Sequence, residues 1–421
     1  MTPGGVHTPG GPRSVSRDSR CDLWVLSAAF FFIFMGTGAL QQFLIPYLEQ
    51  TTPWGAMRSS LVLATVYLGL IVWRVLGGYA IRAFGDYWAM VVGATTYTLF
   101  ALVLLVYPRQ WALLGAAFAW SWGAALLWIT SSAHVLDASR REHYGRAAGM
   151  FYAATHFGFV IGVVVLGLLL RGVGGRGMLL GAIGLTGVGN VICLLVPRRR
   201  FPRDLPSFTA VLRVAVGRAG RTLSLVQLAA AAGFGLLLGV FASAIKHDFG
   251  IAAVAPITMA FYVMRAVISP FAGALSDRLG RARVMAGGFG LGGVALLIAA
   301  VAPGAATLTL AAAALGGVTA TVLAAVLAFV GDTAQPSSRQ AAVAGLSVWR
   351  DLGVAITILL GQYLRLVFHG YAAPFLLFAA VFFLCAWLST RLYAIRGAAD
   401  TSFGGDGCER SPVAAEHRRQ D

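Results

Sequence analysis

Charged residues are scarce in this chain: Asp, Glu, Lys and Arg make up 11% of its 421 residues, whereas hydrophobic residues make up 58%. With a mean hydropathy of +0.78, this composition excludes an ordinary soluble globular protein and indicates a polytopic membrane protein. Cysteine is also rare, since Cys193 and Cys385 lie in apolar runs while Cys21 and Cys408 lie near the chain ends. We therefore expect neither a disulfide framework nor a metal site.

The sequence also lacks the motifs of enzymes and ATPases. It contains no glycine-rich phosphate loop with a lysine, no nucleophile elbow and no His-Glu helix pair. Only one carboxylate, that of Asp351, lies deep in an apolar run, so an acid-base pair of the usual kind is missing. We expect no enzymatic activity, no cofactor and no movement driven by ATP.

Apolar runs of ~20 residues are long enough to cross the core of a bilayer as helices. Twelve such spans are predicted, at residues 24–46, 59–81, 88–107, 110–132, 147–170, 178–196, 223–245, 253–276, 284–302, 305–330, 342–368 and 372–391. The first span follows a basic segment, but it is too long for a cleaved signal peptide and has no small-residue cleavage site.

The basic residues are distributed as membrane topology predicts. Placing both termini in the cytoplasm puts 23 of the 32 Lys and Arg residues on that side and 6 on the other, and leaves only Arg74, Arg265 and Arg350 away from the span ends. The net charge of +16 is therefore assigned to topology rather than to nucleic-acid binding. The expected division is a disordered cytoplasmic N-tail (1–22), a six-helix half (23–196), a basic cytoplasmic linker (197–222), a second six-helix half (223–392) and a disordered cytoplasmic C-tail (393–421). For the linker, contact with lipid is the main interpretation and phosphate binding the alternative.

The chain repeats itself with a shift of 195 residues. The shift aligns the following positions of the two halves: Gly78 with Gly273, Gly85 with Gly280, Gly93 with Gly288, Tyr67 with Tyr262, His156 with Asp351, and Gly158 with Gly353. This indicates a duplicated six-helix unit whose parallel halves are related by an axis along the membrane normal.

A short polar loop, Pro270 to Arg283, separates two apolar runs and follows the pattern G-x-x-x-D-R-x-G-R-x-R. The pattern is formed by Gly273, Asp277, Arg278, Gly280, Arg281 and Arg283. It resembles the signature loop of the major facilitator superfamily of transporters. The resemblance implies an all-α membrane protein with twelve transmembrane helices in two pseudo-symmetric six-helix halves, which rock against each other around a central site.

The equivalent first-half loop departs from that pattern. Gly78 and Gly85 stand where expected, but Arg82 replaces the aspartate and Asp86 replaces the arginine. Because Arg82 and Asp86 are one helical turn apart, we expect them to pair with each other. The fourth span lacks the arginine of many proton-coupled members, and the fifth has glycines without a Gly-Pro step. Those glycines are interpreted mainly as close-packing positions, with gating as the alternative.

Ionisable residues inside the spans are the candidate site. At about 1.5 Å per residue, Arg74, Arg265, Asp351 and His156 lie ~12 to ~18 Å inside their helices, near the middle of a ~30 Å core. In the superfamily fold, helices two and eleven face each other, as do five and eight. The resemblance therefore implies that Arg74 meets Asp351 and that Arg265 meets His156.

Other polar residues surround these candidates. Arg350 is expected to point about 100° away from its neighbour Asp351 and to need another partner. Tyr67 and Tyr262 share helix faces with Arg74 and Arg265, and Gln41 and Gln42 are softer candidates for a polar path along the cavity. Lys246 is assigned to a solvated loop.

These features predict a secondary active transporter of a small solute, with a small organic anion as one candidate cargo bound by Arg74 and Arg265. The alternatives are a proton-coupled multidrug or metabolite efflux antiporter, interhalf salt bridges that only hold one conformation, and a non-transporting membrane sensor or scaffold. The expected partners are a small-molecule substrate, protons and the lipid bilayer. The expected state is a monomer in the cytoplasmic membrane with both termini cytoplasmic.

Overall fold

The computed structural model describes residues 17–137, 144–198, 207–217, 221–333 and 339–391, and every regular element in these ranges is helical. The N-terminal elements are α1 (Arg17–Ile33), a π-helical turn (Phe34–Gly38), α2 (Ala39–Thr51), α3 (Ala56–Phe84), α4 (Asp86–Val106), α5 (Gln110–Asp137) and α6 (Tyr144–Leu194). The C-terminal elements are α7 (Phe208–Val216), α8 (Arg221–Leu236), a second π-helical turn (Leu237–Phe241), α9 (Ala242–Phe249), a 3-10 turn (Ile251–Ala253), α10 (Val254–Leu279), α11 (Arg281–Val301), α12 (Ala305–Thr333), α13 (Arg339–Val367) and α14 (Ala372–Arg391).

Eleven helical stretches in the described ranges are long and apolar enough to cross a membrane. The stretch in α6 crosses twice, because Gly174 interrupts it with φ 80° and ψ −176°, a left-handed conformation that glycine adopts without strain. Its two arms lie against each other, since a Cβ on Gly181 would be 2.3 Å from Leu169 Cδ1. The predicted all-α fold with twelve crossings is confirmed, and each predicted span overlaps one crossing.

Two boundaries differ from the sequence analysis. The helix α1 begins at Arg17, within the segment assigned to the N-tail, and α7 lies in the linker, where no helix was predicted. The helix α7 packs on α13, since Trp349 Nε1 donates a hydrogen bond of 2.6 Å to the Ala215 carbonyl. Residues 1–16 and the predicted C-tail lie outside the described residues.

The alternation of helix direction defines two faces of the molecule. The helices α3, α5, α10 and α12 end on the face that carries α7, which we call the linker side. The helices α2, α4, α9 and α13 end on the opposite face, which we call the far side. The outer wall between the faces is apolar, with Leu168 62%, Leu291 61% and Val191 61% exposed. Such a surface is stable against lipid and not against water, so the protein is a multi-pass membrane protein.

Glycines allow the helices of each half to pack backbone against backbone. A Cβ on Gly158 of α6 would lie 2.4 Å from the Phe31 carbonyl oxygen, and one on Gly162 would lie 2.3 Å from that of Met35. In the second half, a Cβ on Gly353 would lie 2.3 Å from the Leu228 carbonyl oxygen. Gly158 and Gly353 are thus equivalent in contact as well as in sequence, and the structure supports the packing interpretation of these glycines.

Gly158→Ala is expected to destabilise the protein by ~1–3 kcal/mol, because the added methyl group would overpack a contact with rigid backbone. The matched control is Gly115→Ala on α5, where nothing lies within 4 Å of the added Cβ. Thermal unfolding of the purified proteins in detergent measures both. Equal melting temperatures for the two variants would show that Gly158 is not a close-packing position.

Candidate functional site

A cavity of about 1000 Å³ lies between the two halves. Its walls include Tyr67 to Gly78 of α3, Met150 to Phe159 of α6, Gln227 to Phe234 of α8, Arg265 to Ser269 of α10 and Val343 to Val354 of α13. On each of these helices, the lining positions run from the middle of the crossing toward the linker side. The cavity therefore opens on the linker side.

A buried carboxylate joins the two halves inside this cavity. Asp351 of α13 is 2% exposed, and its Oδ2 accepts a hydrogen bond from Nε of Arg74 on α3. Its other oxygen, Oδ1, accepts bonds of 3.2 Å from both Nε and Nη2 of Arg350. Both carboxylate oxygens are therefore occupied by guanidinium groups, one from each half.

The expectation that Arg350 points away from Asp351 is wrong. Consecutive residues leave a helix in different directions, but the arginine side chain is long enough to fold back and place its guanidinium beside the neighbouring carboxylate. The direction of the Cα–Cβ bond does not fix the position of a guanidinium group several bonds farther out.

Arg265 lines the same cavity without such a partner. Its Nε is buried and makes no hydrogen bond within the described part of the chain, and its Cζ lies 5.9 Å from the ring centroid of Phe234. The expected pair with His156 does not form, although both side chains are described and line the cavity. The nearest ring to His156 among the recorded contacts is that of Tyr152, 6.5 Å away between centroids.

The cavity is electropositive. Its described lining contains three arginines and one aspartate, which gives a formal charge of +2 with His156 neutral. Placing charge near the middle of a membrane protein is unfavourable unless partners or water compensate it. An anion entering from the linker side would supply that compensation.

The two tyrosines of the repeat bind the two adjacent glutamines. Tyr67 donates a 2.6 Å hydrogen bond to Gln41 Oε1, and Tyr262 donates one of 3.0 Å to Gln42 Oε1. The glutamine amides continue to backbone carbonyls of the π-helical turns, Gln41 to Gly38 at 3.2 Å and Gln42 to Leu237 at 3.1 Å. Gln41 lines the cavity, whereas Gln42 is fully buried and ties the halves together instead of forming a polar path.

A second polar cluster joins the two halves on the far side, and it was not predicted from the sequence. Glu49 of α2 binds Lys246 Nζ at 3.1 Å, Arg365 Nη2 at 3.8 Å and Ser243 Oγ at 3.2 Å. We call Glu49, Ser243, Lys246, Gln362, Arg365 and Tyr371 the far-side cluster; Gln362 bonds to Ser243 Oγ, and Tyr371 bonds to the Ser243 carbonyl. Lys246 belongs to α9 rather than to a loop. The sequence signal for this cluster was the pair of opposite charges, Glu49 and Lys246, just beyond the first and seventh predicted spans.

Tyr371, between α13 and α14, accepts a 3.0 Å hydrogen bond from Arg365. Burial raises the pKa of this phenol above its ordinary value, which outweighs the opposite effect of Arg365. Tyr371 is therefore neutral at physiological pH and donates its proton to the Ser243 carbonyl.

The signature loops turn at Gly85 and Gly280, whose φ angles are 77° and 88°. Since Gly85 ends α3, Arg82 and Asp86 lie on different helices, and no ion pair joins them although both side chains are described. Arg82 instead stacks on Tyr79, 4.6 Å from its ring centroid. The exchanged charges suit the helix dipoles, with Arg82 in the last turn of α3 and Asp86 in the first turn of α4.

In the second loop, Arg278 lies in the last turn of α10 and Arg281 begins α11. The side chain of Asp277 lies outside the described residues, as does the surrounding of Gly273. Of the loop residues, Gly78 alone is among the described cavity-lining positions.

Comparison with known proteins agrees with this architecture. The sequence profile of the Major Facilitator Superfamily matches residues 26–219 and 223–413. Among solved structures, the nucleoside transporter NupG aligns with a TM-score of 0.71 at 13% identity, covering 89% of this chain and 99% of that chain. The POT family transporter PepTSo aligns at 0.69 with 15% identity (91% and 99% covered), and the E. coli fucose:proton symporter FucP at 0.63 with 17% identity (89% and 99% covered).

No curated protein matches the chain. The structural neighbours are too distant in sequence to indicate more than the fold. The superfamily profile, however, covers both six-helix halves and most of the residues. The chain belongs to the Major Facilitator Superfamily.

Proposed function

We propose that this protein is a secondary active transporter that carries a small organic anion across the membrane by alternating access. The observation that carries the proposal is the electropositive cavity between the halves, in which Arg265 has no anionic partner within the described chain. A guanidinium group binds carboxylate or phosphate oxygens with paired donors. An anion is therefore the class of solute that best fits the cavity.

Alternation is supported by the distribution of contacts between the halves. The cavity opens on the linker side, while Glu49 of the first half binds Lys246 and Arg365 of the second half on the far side. Rocking the halves about the central site would break the far-side cluster and close the linker side. The described conformation is then one of the two end states of the cycle.

We further propose that the protein works as a monomer in the cytoplasmic membrane with both termini in the cytoplasm. This orientation puts the arginine-rich linker on the cytoplasmic side. The described state is then inward-open. In this topology, most of the basic residues that give the net charge of +16 lie on the cytoplasmic side. We therefore propose no nucleic-acid partner. We also propose no enzymatic activity.

The proposal is tested by the flux of a panel of small organic anions into vesicles. Arg265→Ala is expected to weaken anion affinity roughly 10- to 150-fold, the effect of losing a hydrogen bond to a charged group. Arg74→Ala should also reduce flux, because it lowers the formal charge of the described lining from +2 to +1. The control is Arg58→Ala, an exposed arginine of α3 outside the cavity. Unchanged anion flux in both cavity variants would exclude the proposal.

Proton-coupled exchange of a drug or metabolite is the second candidate, and Asp351 favours it. It is the only carboxylate in the described cavity lining, and it holds two arginines. Protonation would release both guanidinium groups at once. Coupling of this kind would also serve an anion transporter, so the candidates differ in cargo rather than in mechanism.

A further inference from the structure

We infer, building on the proposed anion transport, that the cargo is an aromatic anion, with its acidic group at Arg265 and its ring against Phe234. The guanidinium of Arg265 lies 5.9 Å from the ring centroid of Phe234, and both side chains line the cavity, so one ligand can contact both. Arg74 and Arg350 already bind Asp351. Among the described arginines of the cavity, Arg265 alone binds no carboxylate.

The surroundings of Arg265 are aromatic. The ring of Phe234 lies 6.4 Å from that of Tyr67 and 6.5 Å from that of Tyr262, both edge-on, while Phe159 stacks on Tyr262 at 5.3 Å. The hydroxyl groups of both tyrosines are bound to glutamines. Tyr67, which lines the cavity, therefore presents ring surface rather than a hydrogen-bond donor to a ligand, and Tyr262 packs behind it against Phe234.

Four hydroxyl groups of the described lining are not available as donors to a ligand. The hydroxyl groups of Thr155, Ser269, Thr319 and Ser347 each donate to a carbonyl one turn earlier in their own helix, at 2.7 to 3.0 Å. The hydroxyl protons of these residues are thus already donated to backbone carbonyl groups. These four hydroxyl groups can still accept hydrogen bonds but cannot donate them, so a ligand rich in acceptors would lose hydrogen bonds with water that they do not replace, whereas a flat apolar ring would not.

The size of the cavity is also sufficient. At about 1000 Å³ it lies at the upper end of typical small-molecule sites, and eight aromatic side chains of the described residues line it. One- and two-ring acids fit this volume with room for water around the acidic group. Gln227, whose buried Oε1 has no hydrogen bond to a described residue, adds one neutral polar contact.

The test compares pairs of acids that have the same carbon skeleton, one with an aromatic and one with a saturated ring. Binding of benzoate, cyclohexanecarboxylate, 2-naphthoate and decahydro-2-naphthoate to the purified full chain is measured by calorimetry. We expect each aromatic acid to bind roughly 2- to 12-fold more tightly than its saturated partner, the range of aromatic ring contacts. The saturated rings are at least as apolar, so a merely apolar cavity would give the opposite order or none.

Phe234→Leu keeps apolar bulk and should remove the preference, while Phe234→Trp should retain it. Equal binding of aromatic and saturated acids by the unmodified protein would overturn this inference and leave anion transport standing. Failure of every acid to bind would overturn the proposed function as well. If Phe234→Leu does not fold, the paired acids on the unmodified protein still decide the question.

Discussion

Glu49→Gln is expected to shift the protein from the conformation open on the linker side toward one open on the far side. Glu49 is the only carboxylate recorded in the far-side cluster, where it lies between Lys246 and Arg365. Without its charge, two cations of the second half face a neutral amide, and the contacts that hold the far side closed are weakened. Losing hydrogen bonds to a charged group costs ~1.5–3 kcal/mol, which changes the ratio of the two states roughly 10- to 150-fold.

Spin labels at Thr51 and His369, exposed far-side positions of opposite halves, would measure the shift in a background without cysteine. The distance between the labels should lengthen in Glu49→Gln. Asp248→Asn is the control, since its carboxylate lies at the same end of α9 but pairs with its neighbour His247. An unchanged distance distribution in Glu49→Gln would mean that the cluster does not govern opening of the far side.

Asp351→Asn is expected to separate proton coupling from anion exchange. The amide mimics the protonated acid, so it releases Arg74 and Arg350 permanently and raises the formal charge of the described lining from +2 to +3. Anion exchange without a pH gradient should persist with a lower KM, while exchange driven by a pH gradient should be lost. Because breaking a buried ion pair costs ~3–5 kcal/mol, the variant should also melt at a lower temperature and regain stability when an anion binds.

The comparison of pH-driven flux with counterflow in proteoliposomes decides this prediction. Equal loss of both activities would assign Asp351 a structural role, as a bridge that holds one conformation. Equal retention of both would remove Asp351 from proton coupling altogether. The melting temperature identifies variants that fail only because they unfold.

Much of the fold could be predicted because a bilayer imposes simple rules on sequence. The twelve crossings were predicted from the length and apolarity of the spans, and the equivalence of Gly158 and Gly353 was predicted from the internal repeat. The contact between Arg74 and Asp351 was implied by the superfamily resemblance, because the fold sets which helices face each other.

The rest of the site could not be predicted, because the spacing of residues does not determine side-chain rotamers or the packing of helix ends. The fold-back of Arg350 onto Asp351 is a choice of side-chain rotamer. The pairing of Arg82 with Asp86 failed because Gly85 ends the helix between them. The far-side cluster depends on how the ends of α2, α9 and α13 are brought together by packing between the halves, and α7 is too short for hydropathy to separate it from a loop.

In the proposed transport cycle, an anion bound at Arg265 between the halves is carried across the membrane. Counterflow of a radiolabelled anion in proteoliposomes containing the purified chain tests it most directly, with Arg265→Gln and Arg58→Gln reconstituted at equal density. Rapid exchange is expected for the unmodified protein and for Arg58→Gln, with at least a tenfold loss of exchange for Arg265→Gln at limiting anion concentration. Binding of the anion without exchange by the unmodified protein would contradict the proposed cycle and indicate a sensor, and full exchange by Arg265→Gln would place the binding site elsewhere.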